Sequence, residues 1–253
     1  MNSVVIKYRP FLLPFEIKIN RKVPSGWNEI NEKMMVTIVK YYNRTVSEDT
    51  LMIELFGFSK RMVQRLNNFY KFKLFDLFDF IAVFDASQDF VIKNLGDMKA
   101  PKAGLRGVKF GCFILGDTYF QDYIKDKKEE DLDRFIAAFY GGKDFDEDNF
   151  ERTVAKVNKF PLETREAIVI NYIMIKKWFV EKYKNLFKKT EEDTDDKKKP
   201  AVLKEKKVSG WLPIFDALVG DDIVNREKYF DLPVNEALRF LNNRIKNNRT
   251  HGH

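Results

Sequence analysis

The sequence predicts a mainly α protein: a helical bundle built around a long central helix, with a small N-terminal β element and a tethered C-terminal helical tail. Three observations carry this. Ile168, Tyr172, Ile175, Phe179, Tyr183 and Leu186 recur at steps of three and four, a continuous apolar stripe between Pro161 and Phe187. Phe15, Ile17 and Ile19 alternate with Glu16, Lys18 and Asn20, the period-two pattern of a half-buried strand. The stretch 188–207 has fourteen charged residues in twenty and almost nothing to bury, and sequence of helical pattern follows it. The predicted organisation is an N-terminal β arm (1–26), a helical body (27–187), a disordered charged linker (188–207) and a C-terminal helical tail (208–253).

Taken in order, residues 4–20 read as strand, with Pro10 and Pro14 limiting pairing to an edge or arm. Pro24-Ser25-Gly26 is a turn. Asn31 is the expected N-cap of a helix with Met35, Ile38, Val39 and Tyr42 on one face. Ser47 caps a second helix, which Gly57 ends in the left-handed region. Ser59 caps a third, with Met62, Val63, Leu66, Phe69 and Tyr70 inward. Residues 71–90 are ambiguous: Phe75, Phe78 and Ile81 fit a helix, while KFKLFDLF also alternates, and helix is the preferred reading. The glycine-rich residues 93–111 read as a long connection with a short extended piece. Asp117 opens a short helix, and EEDLDRFIAAFY forms another, stopped by Gly141-Gly142. NFERTVAKVNKF continues helical into the central helix. That helix opens on Pro161 with Glu163 and Glu166 near its positive end, and Ile170, Ile173, Met174 and Trp178 widen its apolar face. Trp178 is assigned to the core. Beyond the linker, WLPIFDALVG and a helix from Pro233 both carry apolar faces. The last helix sets Ala237, Leu238, Leu241 and Ile245 against Arg239, Arg244, Lys246 and Arg249. A C-terminal tail of this size has to dock on the body or on another chain.

Composition narrows the function classes. The 253 residues carry a net charge of +7, yet 38 acidic residues sit among 45 basic ones, so the surface is mixed. A single cysteine, Cys112, forbids an internal disulfide and suits a reducing compartment, where it is expected as a small buried apolar residue. No signal-peptide pattern opens the chain and no apolar run reaches membrane-spanning length, so a soluble protein is expected, with no membrane partner. The only histidines are His251 and His253. Residues 1–250 thus offer no imidazole for general-base work, Ser-His or Cys-His nucleophiles, or zinc ligation. YGGKD (140–144) fails as a phosphate loop, because Ala137 stands where a Gly is needed and Asp144 where a Ser or Thr is. DFDEDNFE (144–151) fails as a calcium loop at Asn149 and Ala155. No catalytic residue, metal ligand or cofactor is expected, and no enzymatic activity.

The best single motif is MIELFGFSKRMVQRLNN (52–68), a helix, a Gly-Phe-Ser turn and a second helix. As a helix-turn-helix it would present Lys60, Arg61, Gln64 and Arg65 to nucleic acid. Against it, Ile53 stands where a small residue is usual, and any short helical hairpin with a Gly stop and Ser cap gives the same string.

Several longer stretches are SGWNEINEKMMVTIVKYY, then FERTVAKVNKFPLETREAIVINYIMIKKWFVEKYKNLF, then SGWLPIFDALVGDDIVN and LPVNEALRFLNN after the charged linker. Over most of its length the chain resembles, in these, a loosely related set of uncharacterised proteins encoded by phages and prophages of Bacteroidota, including crAss-like phages. The resemblance is a pattern of helices and tryptophans. It implies a gene of the virion module: a ring or connector subunit, a protein carried in the particle, or a tail assembly factor. The expectation is a non-enzymatic bacteriophage structural or assembly protein, located in the virion and assembled in the host cytoplasm. Its partners would be other virion proteins and further copies of itself, with nucleic acid possible but not favoured. Contact candidates are Trp27, Trp211, Phe215, Leu238 and Leu241. The alternatives are a non-structural phage tail assembly chaperone and the helix-turn-helix DNA binder.

Overall fold

A computed structural model describes residues 1–8, 17–142, 147–187 and 210–250. The chain is mainly helical, with a two-stranded N-terminal sheet, a long central helix and a C-terminal helical segment. It divides into two compact units, one made of Met1–Lys93 with Phe160–Met174, the other of Asn94–Lys159 with Ile175–His253. The central helix α8 (Leu162–Lys182) runs unbroken from the first into the second.

In the first unit, β1 (Asn2–Tyr8) and β2 (Ile17–Val23) pair antiparallel, from Asn2 opposite Val23 to Tyr8 opposite Ile17. Pro10, Pro14 and Phe15 fall outside the described residues. The helices that follow begin and end as their local chemistry requires. Asn31 accepts the Met34 N–H at 3.0 Å to start α1 (Glu32–Tyr42), which buries Met35, Ile38 and Val39. Ser47 caps α2 (Glu48–Phe56), and Gly57, at φ 65°, closes it. Ser59 caps α3 (Lys60–Arg65). The expected continuation of α3 is interrupted. Leu66 is extended, Asn67 caps a new helix, α4 (Asn68–Phe75), and a 3-10 turn (Asp76–Ala82) follows. The break changes the helical phase. Met62, Val63 and Leu66 are buried as expected, but Phe69 and Tyr70 face outward. Phe56, Phe75 and Phe78 form an aromatic cluster, with Phe56 stacked on Phe78 at 4.4 Å between centroids. The first half of α8 supplies Ala167, Ile168 and Tyr172 to this unit's core. Asn171, fully buried, accepts the Val91 N–H at 2.9 Å and so pins the loop before the second unit.

In the second unit, the stretch expected to be a long connection with a short extended piece holds a short hairpin, β3 (Asn94–Leu95) with β4 (Met98–Lys99). The helix expected to open at Asp117 begins seven residues earlier. α5 (Phe110–Asp126) therefore takes in Gly111 and Gly116, and Asp117 lies in mid-helix, buried. Both glycines permit close approach. A Cβ at Gly116 would stand 2.6 Å from Phe139 Cε2 on α6 (Glu129–Tyr140), and one at Gly111 would stand 3.0 Å from Phe230 Cδ1. α7 (Glu147–Val157) completes this group, while Lys143 to Asp146 lie outside the described residues. α8 ends at Lys182, short of Phe187, and the chain leaves through a turn at Tyr183 to Leu186. The expected linker, 188–207, is outside the described residues, as are His251 and His253. The C-terminal segment forms α9 (Trp211–Val219), α10 (Arg226–Phe230) and α11 (Val234–Thr250).

Gly116→Val tests the close packing of α5 on α6. The branched side chain has no room beneath the Phe139 ring, so stability in urea falls by about 2 kcal/mol; an unchanged midpoint would show that the two helices are not so close.

Candidate interaction surfaces

Of the five contact candidates, Trp27, Phe215, Leu238 and Leu241 are buried within their own units and Trp211 is half-buried. Trp27 is buried in the first. Its indole N–H is shared between the carbonyls of Phe80 and Val83, both at 2.9 Å, and its ring meets Phe80 edge-on. In the second unit Trp211 meets Phe113 edge-on at 4.8 Å, and Phe215 stacks on Phe230 at 4.0 Å. Phe215, Leu238 and Leu241 are buried. Packing within the chain thus takes up the apolar surface that these residues were expected to offer to other chains. Trp178, expected in the core, is half-buried against Gly104, where a Cβ would stand 2.9 Å from the indole Cη2.

A set of polar contacts holds the C-terminal segment. The Asp117 carboxylate is 3% exposed and accepts the Trp211 indole N–H at 2.6 Å and the Lys176 ammonium at 2.7 Å. One acid thereby joins α5, α8 and α9. Backbone pairing adds a second tie, with the Phe110 N–H donating to Leu232 O at 2.7 Å and the Val234 N–H to Val108 O at 2.9 Å. Asn235 forms a third. Its amide donates to Gly104 O at 2.6 Å, and its side-chain oxygen accepts the Tyr183 hydroxyl at 3.1 Å. Asn242 holds the turn after the central helix, accepting the N–H groups of Asn185 and Leu186 at 3.0 and 3.3 Å. Cys112 is buried as expected, and burial pushes its thiol pKa up.

The surfaces left open are elsewhere. On α4, Phe69 is 60%, Tyr70 48% and Phe72 68% exposed. Positions i, i+1 and i+3 fall on one half of the helix circumference. Phe69 and Tyr70 are 5.8 Å apart, and the Lys73 ammonium sits 4.7 Å from the Phe69 centroid. A helix of this length normally hides such a stripe. Sequence reading missed it because the periodicity was carried across Leu66; the capping chemistry of Asn67 was the one signal of the break.

Lys60, Arg61, Gln64 and Arg65 are exposed. They sit on a helix of six residues, about 9 Å long. The preceding turn buries Phe58, so the pair is well described as a short helical hairpin closed by Gly57 and Ser59. Among the described residues no group of three or more His, Cys, Asp or Glu side chains comes together to hold a metal ion. No helix among them is long and apolar enough to cross a membrane. No protein-family model, curated protein or solved structure matches the chain.

Asp117→Ala tests the buried acid. It leaves the Lys176 ammonium without its carboxylate and the Trp211 N–H without its acceptor, so stability falls by about 3 kcal/mol. Urea unfolding followed by tryptophan fluorescence measures the loss, and a change below about 1 kcal/mol would show that the contact is incidental.

Proposed function

We propose that the chain is a non-enzymatic bacteriophage structural or assembly protein, above all a virion component such as a ring or connector subunit of the head–tail or tail region, packing against neighbouring subunits. The observation that supports it best is the aromatic stripe of Phe69, Tyr70 and Phe72 on α4. A cluster of large aromatics facing water is costly in an isolated chain and is the kind of surface that anchors an interface. The N-terminal hairpin adds to this. Its two strands pair only with each other among the described residues, leaving outer edges open to a further strand. The resemblance to virion-module proteins supplies the biological setting. In a head-to-tail ring, the α4 face of one subunit would meet a different face of the next.

Size-exclusion chromatography with light scattering tests the packing surface. The intact protein is expected to form oligomers at high concentration. Phe69→Ser with Phe72→Ser is expected to shift them to monomer with an unchanged melting temperature, because both side chains are already exposed. An intact protein that stays strictly monomeric, or a double variant that assembles normally, would contradict the use of this surface. Mass spectrometry of purified particles separates a virion component, which is present, from a tail assembly chaperone, which is absent.

A further inference from the structure

Three cations gather where the central helix ends. Lys182, in the last turn of α8, donates to Asn235 Oδ1 at 3.3 Å and lies 4.4 Å from the Trp178 ring centroid and 5.1 Å from that of Tyr183. Arg106 is near enough to act on its charge; burial first, and then Arg106, hold the Lys182 pKa below its ordinary value. Arg239, on α11, lines the same depression as Lys182, Tyr183, Asn235 and Asn242. No carboxylate forms an ion pair with any of these three cations among the described residues, although Glu236 also lines the depression. A cation in the last turn of a helix is favoured by the helix dipole, which accounts for Lys182. It does not account for Arg106 and Arg239, which lie on other elements. Lys182, Arg106 and Arg239 outnumber the one carboxylate that lines the depression, Glu236, so a net positive charge remains that a bound anion would offset.

The surface continues along α11. A second depression adjoins the first through Glu236 and Arg239 and is lined further by Phe240, Asn243, Arg244 and Asn247. Arg239, Asn243 and Asn247 follow at intervals of four, and so form one row on the helix. Phe240 beside them is 54% exposed. Arg244 is engaged structurally through Ala217 O at 2.7 Å. α11 carries four basic residues against the single acid Glu236.

We propose that this surface binds the phosphate backbone of a nucleic acid, with Lys182 and Arg239 contacting phosphates, Arg106 adding to the field, and Asn243 and Phe240 facing the sugars and bases. The two depressions form an extended open surface along a helix, which suits a polymer better than a small enclosed anion. Guanidinium, amide and aromatic groups in one row are the types that meet phosphates, base edges and base faces. The proposal is independent of the assembly reading and uses residues other than the 52–68 hairpin.

Fluorescence anisotropy of the full chain tests it, with labelled duplex and single-stranded oligonucleotides of equal length over a series of NaCl concentrations. Binding is expected at low salt. Lys182→Gln with Arg239→Gln should weaken it at least about tenfold and lower the slope of log affinity against log salt by about 2. Lys60→Gln with Arg61→Gln and Arg65→Gln should leave it unchanged. Should the first pair melt early, Arg106→Gln takes its place, with an expected loss of several-fold. Preference for the duplex or for the single strand identifies which form is read. The proposal is overturned by absence of binding at low salt, by undiminished binding in the variants on α8 and α11, or by displacement of the oligonucleotide by polyglutamate at equal charge, which would mark an acidic protein partner instead.

Discussion

The second unit depends on a carboxylate that has been taken out of water. Removing the Asp117 charge from solvent costs several kcal/mol unless its oxygens are well satisfied. Here one oxygen takes the Lys176 ammonium and the other the Trp211 indole N–H. The ammonium also lies 5.0 Å from the centroid of the Phe120 ring, which adds a cation–π contact to the pair. That arrangement exists only when α5, the second half of α8 and α9 are all in place. Because α9 lies beyond the charged stretch, the pair also makes the C-terminal segment part of the fold and not an appendage.

This docking has a direct bearing on function. Segments that cannot bury their own apolar faces suggest exchange between subunits, and the C-terminal segment was a candidate for that role. Phe215, Leu238 and Leu241 are instead buried in their own unit, and Trp211, half-buried, meets Phe113 there. Among the described residues, surfaces that stay outside include the aromatic stripe of α4, the N-terminal hairpin and the outer face of α11 with its exposed Phe240. These differ in chemistry. We propose the first two for protein partners and the third for an anionic polymer.

What could be read from the sequence was what local chemistry decides. The caps at Asn31, Ser47 and Ser59 and the stop at Gly57 depend on a few neighbouring atoms, and all are found as expected. The central helix was legible because Ile168, Tyr172, Ile175, Phe179 and Tyr183 keep one phase over four turns, and all are buried. The failures come from tertiary contacts that override local preference. Gly111 and Gly116 argue against helix on propensity, yet α5 contains both because Phe230 and Phe139 pack where side chains would stand. Asp117 looks like a helix opener by residue type, and only the distant Lys176 and Trp211 explain it in mid-helix. An exposed and a buried tryptophan are indistinguishable in sequence; the partner of the indole N–H decides, and for Trp27 and Trp211 that partner is in the same chain.

The most direct measurement cuts the chain between the two parts that Asp117 joins. With a protease site placed within residues 188–209, the protein is cleaved under native conditions and passed over a sizing column. The two pieces should elute together from the unaltered sequence and come apart under mild denaturant when Asp117 is replaced by Ala. A C-terminal piece that separates from the unaltered protein as soon as it is cut would contradict the claim that the chain packs its own end.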